Sequence, residues 1–139
     1  MRTGLAIEDL DGLLDEPLVA VLATLRRDGG VQLSPVWHEW RDGGFNLWLP
    51  ADDVKTRHLR RDPRATLAVA ESRIPLRGVE LRTEARLHER DVREIAARIA
   101  IRYVGEETGV AYVGSADGTV IARLEPGVLR AWDFADEFG

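Results

Sequence analysis

The chain predicts an α+β domain that is mainly β: an antiparallel sheet of about six or seven strands, curled into a barrel, with two or three flanking helices. Three observations carry that prediction. Short β-rich runs recur along the 139 residues, and several are apolar on both faces. Turn signals at Asp28-Gly29-Gly30, Asp42-Gly43-Gly44 and Pro126-Gly127 separate them, so most connections are hairpins. Helix-periodic segments are few and interrupt the strands, which puts them at the rim of the sheet.

Taken in order, residues 7–15 read as a short acidic helix with Leu10, Leu13 and Leu14 as its apolar stripe, ended by Pro17. Residues 18–26 form a nearly unbroken apolar run, the pattern of a strand buried on both faces. A long strand over 31–41 and a third over 45–49 complete a meander. Pro50 closes the third strand, and Asp52 or Asp53 caps a helix running to about Arg61. A strand over 65–70 follows, then an irregular stretch around Pro75. From Gly78 to Glu89 the alternation is clean, with Val79, Leu81, Thr83, Ala85 and Leu87 inward. Asp91 with Glu94 resembles a capping box for a helix to Val104. Strands over 118–125 and 128–134 end the chain. Residues 1–139 thus make one domain, with 1–6 and 135–139 as loose ends.

Composition narrows the function. Hydrophobic residues make up 45% and charged residues 31%, an ordinary globular balance. No cysteine is present, which excludes disulfides and thiolate metal sites, and three scattered histidines make no metal cluster. The first residues lack the apolar stretch of a signal peptide, and no apolar run approaches the roughly 20 residues of a membrane span. A cytoplasmic location is the expectation. A net charge of −5 argues against nucleic acid as a partner.

The charge is nevertheless uneven. Between residues 55 and 64 stand Lys55, Arg57, Arg60, Arg61 and Arg64 against one acid, Asp62. Arg57, Arg60, Arg61 and Arg64 have the spacing of one helical stripe. Lys55 falls in the first turn of that helix, where free backbone N–H groups favour an anion. It is also the only lysine, beside 18 arginines. The stripe is either a phosphate cradle or a solvated basic face. Trp37, Trp40 and Trp48 read as subunit contacts first and as cofactor-stacking residues second.

Several stretches resemble the flavin-binding split-barrel proteins related to pyridoxamine 5′-phosphate oxidase, and in particular their deazaflavin (F420)-dependent branch. They are Val21-Leu22-Ala23-Thr24-Leu25 with Asp28-Gly29, Gln32-Leu33-Ser34-Pro35-Val36-Trp37, Lys55-Thr56-Arg57-His58-Leu59-Arg60-Arg61-Asp62-Pro63-Arg64, Gly78-Val79-Glu80-Leu81, and the closing Arg130-Ala131-Trp132-Asp133-Phe134. The resemblance spans about residues 18–134. It implies a split β-barrel that works as a homodimer, with the cofactor at the subunit interface. Lys55 and Arg57, helped by Arg61, would hold the cofactor phosphate. Ser34, Pro35 and Val36 would line the ring, Leu49 and Pro50 would border the ribityl chain, and Trp37 or Trp132 would reach a ring held mainly by the partner.

F420 is the favoured cofactor and FMN the alternative. The activity implied is hydride transfer between that cofactor and a small organic molecule. No catalytic residue or metal is assigned, because the cofactor carries the hydride itself; His38 is a candidate proton donor. The alternative is a binding or carrier protein for a flavin, F420 or haem. Pyridoxamine-phosphate oxidation ranks lower, since the chain is short for that enzyme and shows no second basic set for a substrate phosphate. Two positions depart from the family pattern: Asp53 stands where an arginine is frequent, and His58 where asparagine is usual.

Overall fold

The turn signals set the first pairings. β1 (Ala20–Leu25) and β2 (Val31–Val36) form one antiparallel hairpin, with Ala20 opposite Val36 and Leu25 opposite Val31. β3 (His38–Arg41) and β4 (Gly44–Pro50) form the next, around Asp42 and Gly43 at φ of 52° and 74°. Two successive left-handed residues are what a type I′ turn requires.

The computed structural model describes residues 1–138. After β4 come α1 (Val54–Arg61), β5 (Arg64–Ala70), β6 (Gly78–Glu84), β7 (Arg86–His88), α2 (Val92–Val104), α3 (Glu106–Val113), β8 (Thr119–Leu124), β9 (Val128–Trp132) and the short α4 (Ala135–Phe138). The strands form two antiparallel sheets, ordered β2-β1-β5-β6-β9 and β3-β4-β8-β7. Leu22, Leu67, Leu81 and Val79 from the first sheet meet Phe45, Leu47, Leu49 and Leu124 from the second in one core. This is a mainly β, split-barrel arrangement. Among the described residues, no helix is long and apolar enough to cross a membrane.

The strand count exceeds the expected six or seven because two long runs each break at one residue. The run over 31–41 is interrupted at Trp37, and the run over 78–89 at Ala85. At each break the chain leaves the five-stranded sheet for the four-stranded one. The expected three-strand meander is therefore two hairpins in different sheets. The break at Trp37 is held from α2. Tyr103 Oη accepts from the His38 N–H at 3.1 Å and donates to the Leu18 carbonyl at 2.8 Å. Its ring stacks on Trp37, with centroids 4.8 Å apart and planes 5° from parallel. Arg102 next door donates to the His38 carbonyl at 3.1 Å. A hydroxyl and a guanidinium thus replace the sheet partners that a continuous strand would have had.

Other expectations are corrected. The helix over 7–15 is two 3-10 turns, Ile7–Leu10 and Leu13–Asp15, separated by Asp11 and Gly12 in left-handed conformation. Arg77 pins them: it donates to the Leu10 carbonyl at 2.5 Å and pairs with the buried Glu71 at 2.8 Å. β1 buries only one face in this chain, since Val19 and Val21 are exposed. β4 and β8 are the strands covered on both sides, by the core and by Ile95, Ile99 and Ala100 of α2. Asp91 is left-handed and makes no side-chain bond to α2, so the capping box does not form. α3 and α4 were not anticipated. Of the ends expected to be loose, Arg2 bridges to Asp133 in backbone and side chain and the N-terminal ammonium meets Asp136 and Glu137, while Gly139 lies outside the described residues.

His38 carries a consequence of the break. Its backbone is satisfied by α2, but its imidazole is wholly buried, edge-on to Phe45, with neither ring nitrogen bonded. Burial, reinforced by the nearby Arg102 charge, lowers its pKa from 6.5 to about 4.

Two outcomes are expected. Tyr103→Phe keeps the stack but leaves the Leu18 carbonyl and the His38 N–H unpaired, and it lowers unfolding free energy by about 1–3 kcal/mol in urea titrations. His38 is held neutral in the folded chain, whereas the unfolded chain takes up its proton below pH 6.5. Its contribution is therefore whole above pH 6.5 and is lost as pH falls to about 4, by about 3 kcal/mol in all. His38→Leu removes that portion of the pH dependence.

Candidate functional site

The proline that ends β4 fixes where α1 begins. Pro50 is the last residue of β4, its carbonyl accepts from Thr56 Oγ1 at 2.7 Å, and Asp53 caps the helix by accepting from the Val54 N–H at 2.8 Å. Lys55 then lies in the first turn, half-buried beside the end of β4. The Trp37 break brings the end of β2 alongside. As a result Pro35, Val36, Trp37, Trp48, Leu49, Pro50, Lys55 and Tyr112 line one groove of 180 Å³.

Six of the ten residues singled out from the sequence thus converge: Pro35, Val36, Trp37, Leu49, Pro50 and Lys55. Arg57 and Arg61 line a separate basic pocket of 470 Å³ with Arg26, Arg27 and His58. Ser34 is buried on β2, where its hydroxyl accepts from Gln32, and it does not line the groove. Trp132 sits on β9, at the opposite edge of the five-stranded sheet from β2, with Arg130 over its ring at 4.7 Å. Within one chain it is remote from the groove. His38 is wholly buried and does not line the groove, so the proton-donor reading does not hold.

Trp48 and Tyr112 were not singled out as site residues. Trp48 stands edge-on to Tyr112, with centroids 5.7 Å apart, and Tyr112 is 65% exposed at the groove mouth. Tyr112 rides on α3, which sequence periodicity did not reveal. The signal for α3 is Gly109: a Cβ there would come within 2.8 Å of the Ile101 backbone nitrogen, so only glycine lets α3 pack this closely on α2. The three tryptophans read as subunit contacts also have aromatic partners within the chain, Trp37 on Tyr103, Trp40 on Phe45 and Trp48 on Tyr112, and each stays partly exposed.

The electrostatics of α1 divide by face. Asp53 accepts from the Lys55 ammonium, and that bond holds its carboxyl below the usual range. The ammonium expected to meet a phosphate is therefore already paired with a carboxylate of its own chain. Arg64 is similarly taken by Asp62, at 2.8 Å, and lies beyond the helix in β5, so the expected four-arginine helical stripe is three arginines long. Arg26, Arg27, Arg57 and Arg61 form no ion pair among the described residues, although Arg61 donates to the Leu25 carbonyl. No cluster of three His, Asp or Glu side chains suited to a metal ion is found among those residues.

An aromatic, proline-edged groove that ends on a lysine, beside unpaired arginines, fits a flat ring with an anionic tail. Comparisons with known proteins show the fold to be a recurrent one. A conserved hypothetical protein of Mycobacterium tuberculosis, Rv2991, has the same fold at 23% identity and a TM-score of 0.83, over 97% of this chain and 89% of that one. A protein described as an F420 reductase is similar at 20% identity and a TM-score of 0.65, over 86% and 94% of the two chains. HutZ of Vibrio cholerae, described as a heme storage protein, is similar at 17% and 0.70, over 88% and 92%. No curated protein matches the sequence. The profile of the pyridoxamine 5′-phosphate oxidase family matches residues 6–133, nearly the whole chain, and the protein belongs to that family.

Proposed function

We propose that the protein is a flavin- or deazaflavin-dependent oxidoreductase that works as a homodimer in the cytoplasm, with F420 favoured over FMN. The observation that carries the reading is the groove itself. Three segments distant in sequence, 35–37, 48–55 and Tyr112, meet there around apolar and aromatic side chains. Pro35, Val36 and Trp37 would lie along the ring, with Leu49 and Pro50 bordering the ribityl chain. Lys55 and Arg57, helped by Arg61, would neutralise the phosphate. When bound, the cofactor supplies the hydride chemistry, and the chain's own residues hold it, orient it and keep water from the ring. The likeness to the F420 reductase supports deazaflavin over FMN.

A second copy of the chain would supply the missing wall. β1 and β2 turn Val21, Leu25, Val31 and Leu33 to one side of the sheet, and Leu33 is 67% exposed there. That face adjoins Pro35 at the groove, so covering it with a partner would close the ring site as well. The chemistry of the transferred hydride leaves the substrate a small organic acceptor or donor.

The Asp53–Lys55 pair favours a second reading, a carrier of the same fold that holds a flavin, F420 or haem without turnover. The likeness to HutZ is in keeping with it. One experiment separates cofactors and tests the site. Thermal melting with F420, FMN and FAD should show a rise for F420 that is lost in Lys55→Ala. No rise with any of the three would contradict the oxidoreductase reading and leave only a haem carrier. A rise accompanied by no turnover of quinones, enones or tetrapyrroles, once the cofactor is reduced, would favour the carrier.

A further inference from the structure

Tyr112 borders two recesses. Besides the ring groove it lines a pocket of 370 Å³, which shares Trp48, Pro50 and Tyr112 with the groove and adds Val113, Ala116 and Asp117. Trp48 and Tyr112 stand nearly at right angles, at 86° with centroids 5.7 Å apart, so the two rings make an aromatic corner. Tyr112 also leans on Trp37, which lines the groove and not the pocket, with centroids 5.9 Å apart. The two recesses therefore share the Tyr112 ring as a wall.

Among the described residues that line this pocket, Asp117 alone carries a charge. Its backbone N–H donates to Ser115 Oγ at 3.2 Å, while its carboxylate makes no hydrogen bond or ion pair among the described residues. The turn that carries it is fixed from both sides. Thr119 Oγ1 donates to the Ala116 carbonyl at 2.5 Å, and the Gly118 carbonyl accepts from the Ala51 N–H at 2.9 Å. Ala116 itself is left-handed, at φ 63°, a conformation that a residue with a Cβ adopts only where its surroundings impose it. A carboxylate without a counter-ion, held beside an indole and a phenol, selects among ligands. An anion is repelled, and a neutral apolar molecule strips water from the carboxylate and gives nothing back. A diffuse organic ammonium satisfies the rings and the carboxylate together.

We propose that this pocket binds the ammonium end of a small organic cation, with Trp48 and Tyr112 against its methyl or methylene groups and Asp117 as its counter-ion. Because Trp48, Pro50 and Tyr112 border both recesses, the other end of such a molecule extends toward the groove. That this cation is the small molecule exchanging hydride with the cofactor rests on the preceding reading; its binding does not.

Choline and benzyltrimethylammonium are the probes, with the neutral alcohol in which carbon replaces the choline nitrogen as the control. Binding to the full chain without cofactor is read by NMR. The reporters are the Tyr112 ring and the Trp48 indole N–H, which is buried without a hydrogen-bond partner. Both cations should shift these signals to saturation, and choline should bind about tenfold more tightly than the alcohol. Asp117→Asn should weaken choline about threefold. Tyr112→Phe, which keeps the ring, should bind as the wild type does, and Tyr112→Ser should abolish measurable binding. Both residues are exposed, so the variants should melt with the wild type. The comparison of choline with the alcohol tests the charge on the wild-type chain, even if a variant fails to fold. Equal affinity for choline and the alcohol, shifts that do not saturate, or full binding in Tyr112→Ser overturns the proposal. Melts with F420 and FMN separate the two ideas. Choline binding by a chain that neither cofactor stabilises sinks the redox reading alone. Cofactor stabilisation without choline binding sinks the cation pocket alone.

Discussion

The architecture depends on how the chain leaves one sheet and enters the other at Trp37. A strand that breaks in a buried place must have its freed N–H and carbonyl groups satisfied, or the break is unaffordable. Tyr103 and Arg102 do this from α2, by accepting from His38, donating to Leu18 and holding the His38 carbonyl. Because they do, Pro35 and Val36 end one sheet next to the place where Leu49 and Pro50 end a strand of the other. The groove is a product of that crossing. The buried, unpartnered imidazole of His38 comes with it, as an apolar-site histidine forced inward by the same turn of the chain.

Much of this is legible in sequence wherever the determining groups are close in the chain. The Asp-Gly turn at 42–43, the Asp53 cap, the end of α1 before Pro63 and the alternation of β5 and β6 are all local, and all appear in the structure. What fails is decided from a distance. Nothing between residues 31 and 41 announces a break, since the hydroxyl that satisfies it comes from residue 103. The single-residue break at Ala85 lies likewise inside an unbroken alternation, and its N–H donates to the Pro63 carbonyl. α3 has little amphipathic pattern because it rests on α2 through Gly109 instead of through an apolar stripe. The same holds at the site: the residues on β2, β4 and α1 were readable from motif, while Tyr112, delivered by α3, was not.

Charge placement on α1 ties the fold to its use. The helix has a general reason to favour an anion near its first turn, yet Asp53 occupies both the Val54 N–H and the Lys55 ammonium. The Asp53 carboxylate is partly exposed, so its pair with Lys55 weakens the positive charge that face offers a ligand without removing it, while Arg57 and Arg61 on the neighbouring face form no ion pair among the described residues. Those arginines line a pocket separate from the aromatic groove, and α1 contributes residues to both. The exposed apolar side of β1 and β2 adjoins the groove, so pairing of two chains and enclosure of the ring would be one event.

The central claim is that α1 grips the anionic end of a ring-bearing ligand whose ring lies between two chains. A crystal structure of the protein soaked with F420 tests it most directly. The account requires the phosphate within about 3 Å of guanidinium nitrogens beside α1, and the ring against Trp37, Trp48 and Pro50 with a second chain closing over it. A ligand seated elsewhere, or an α1 whose arginines face open solvent in the paired molecule, would contradict it.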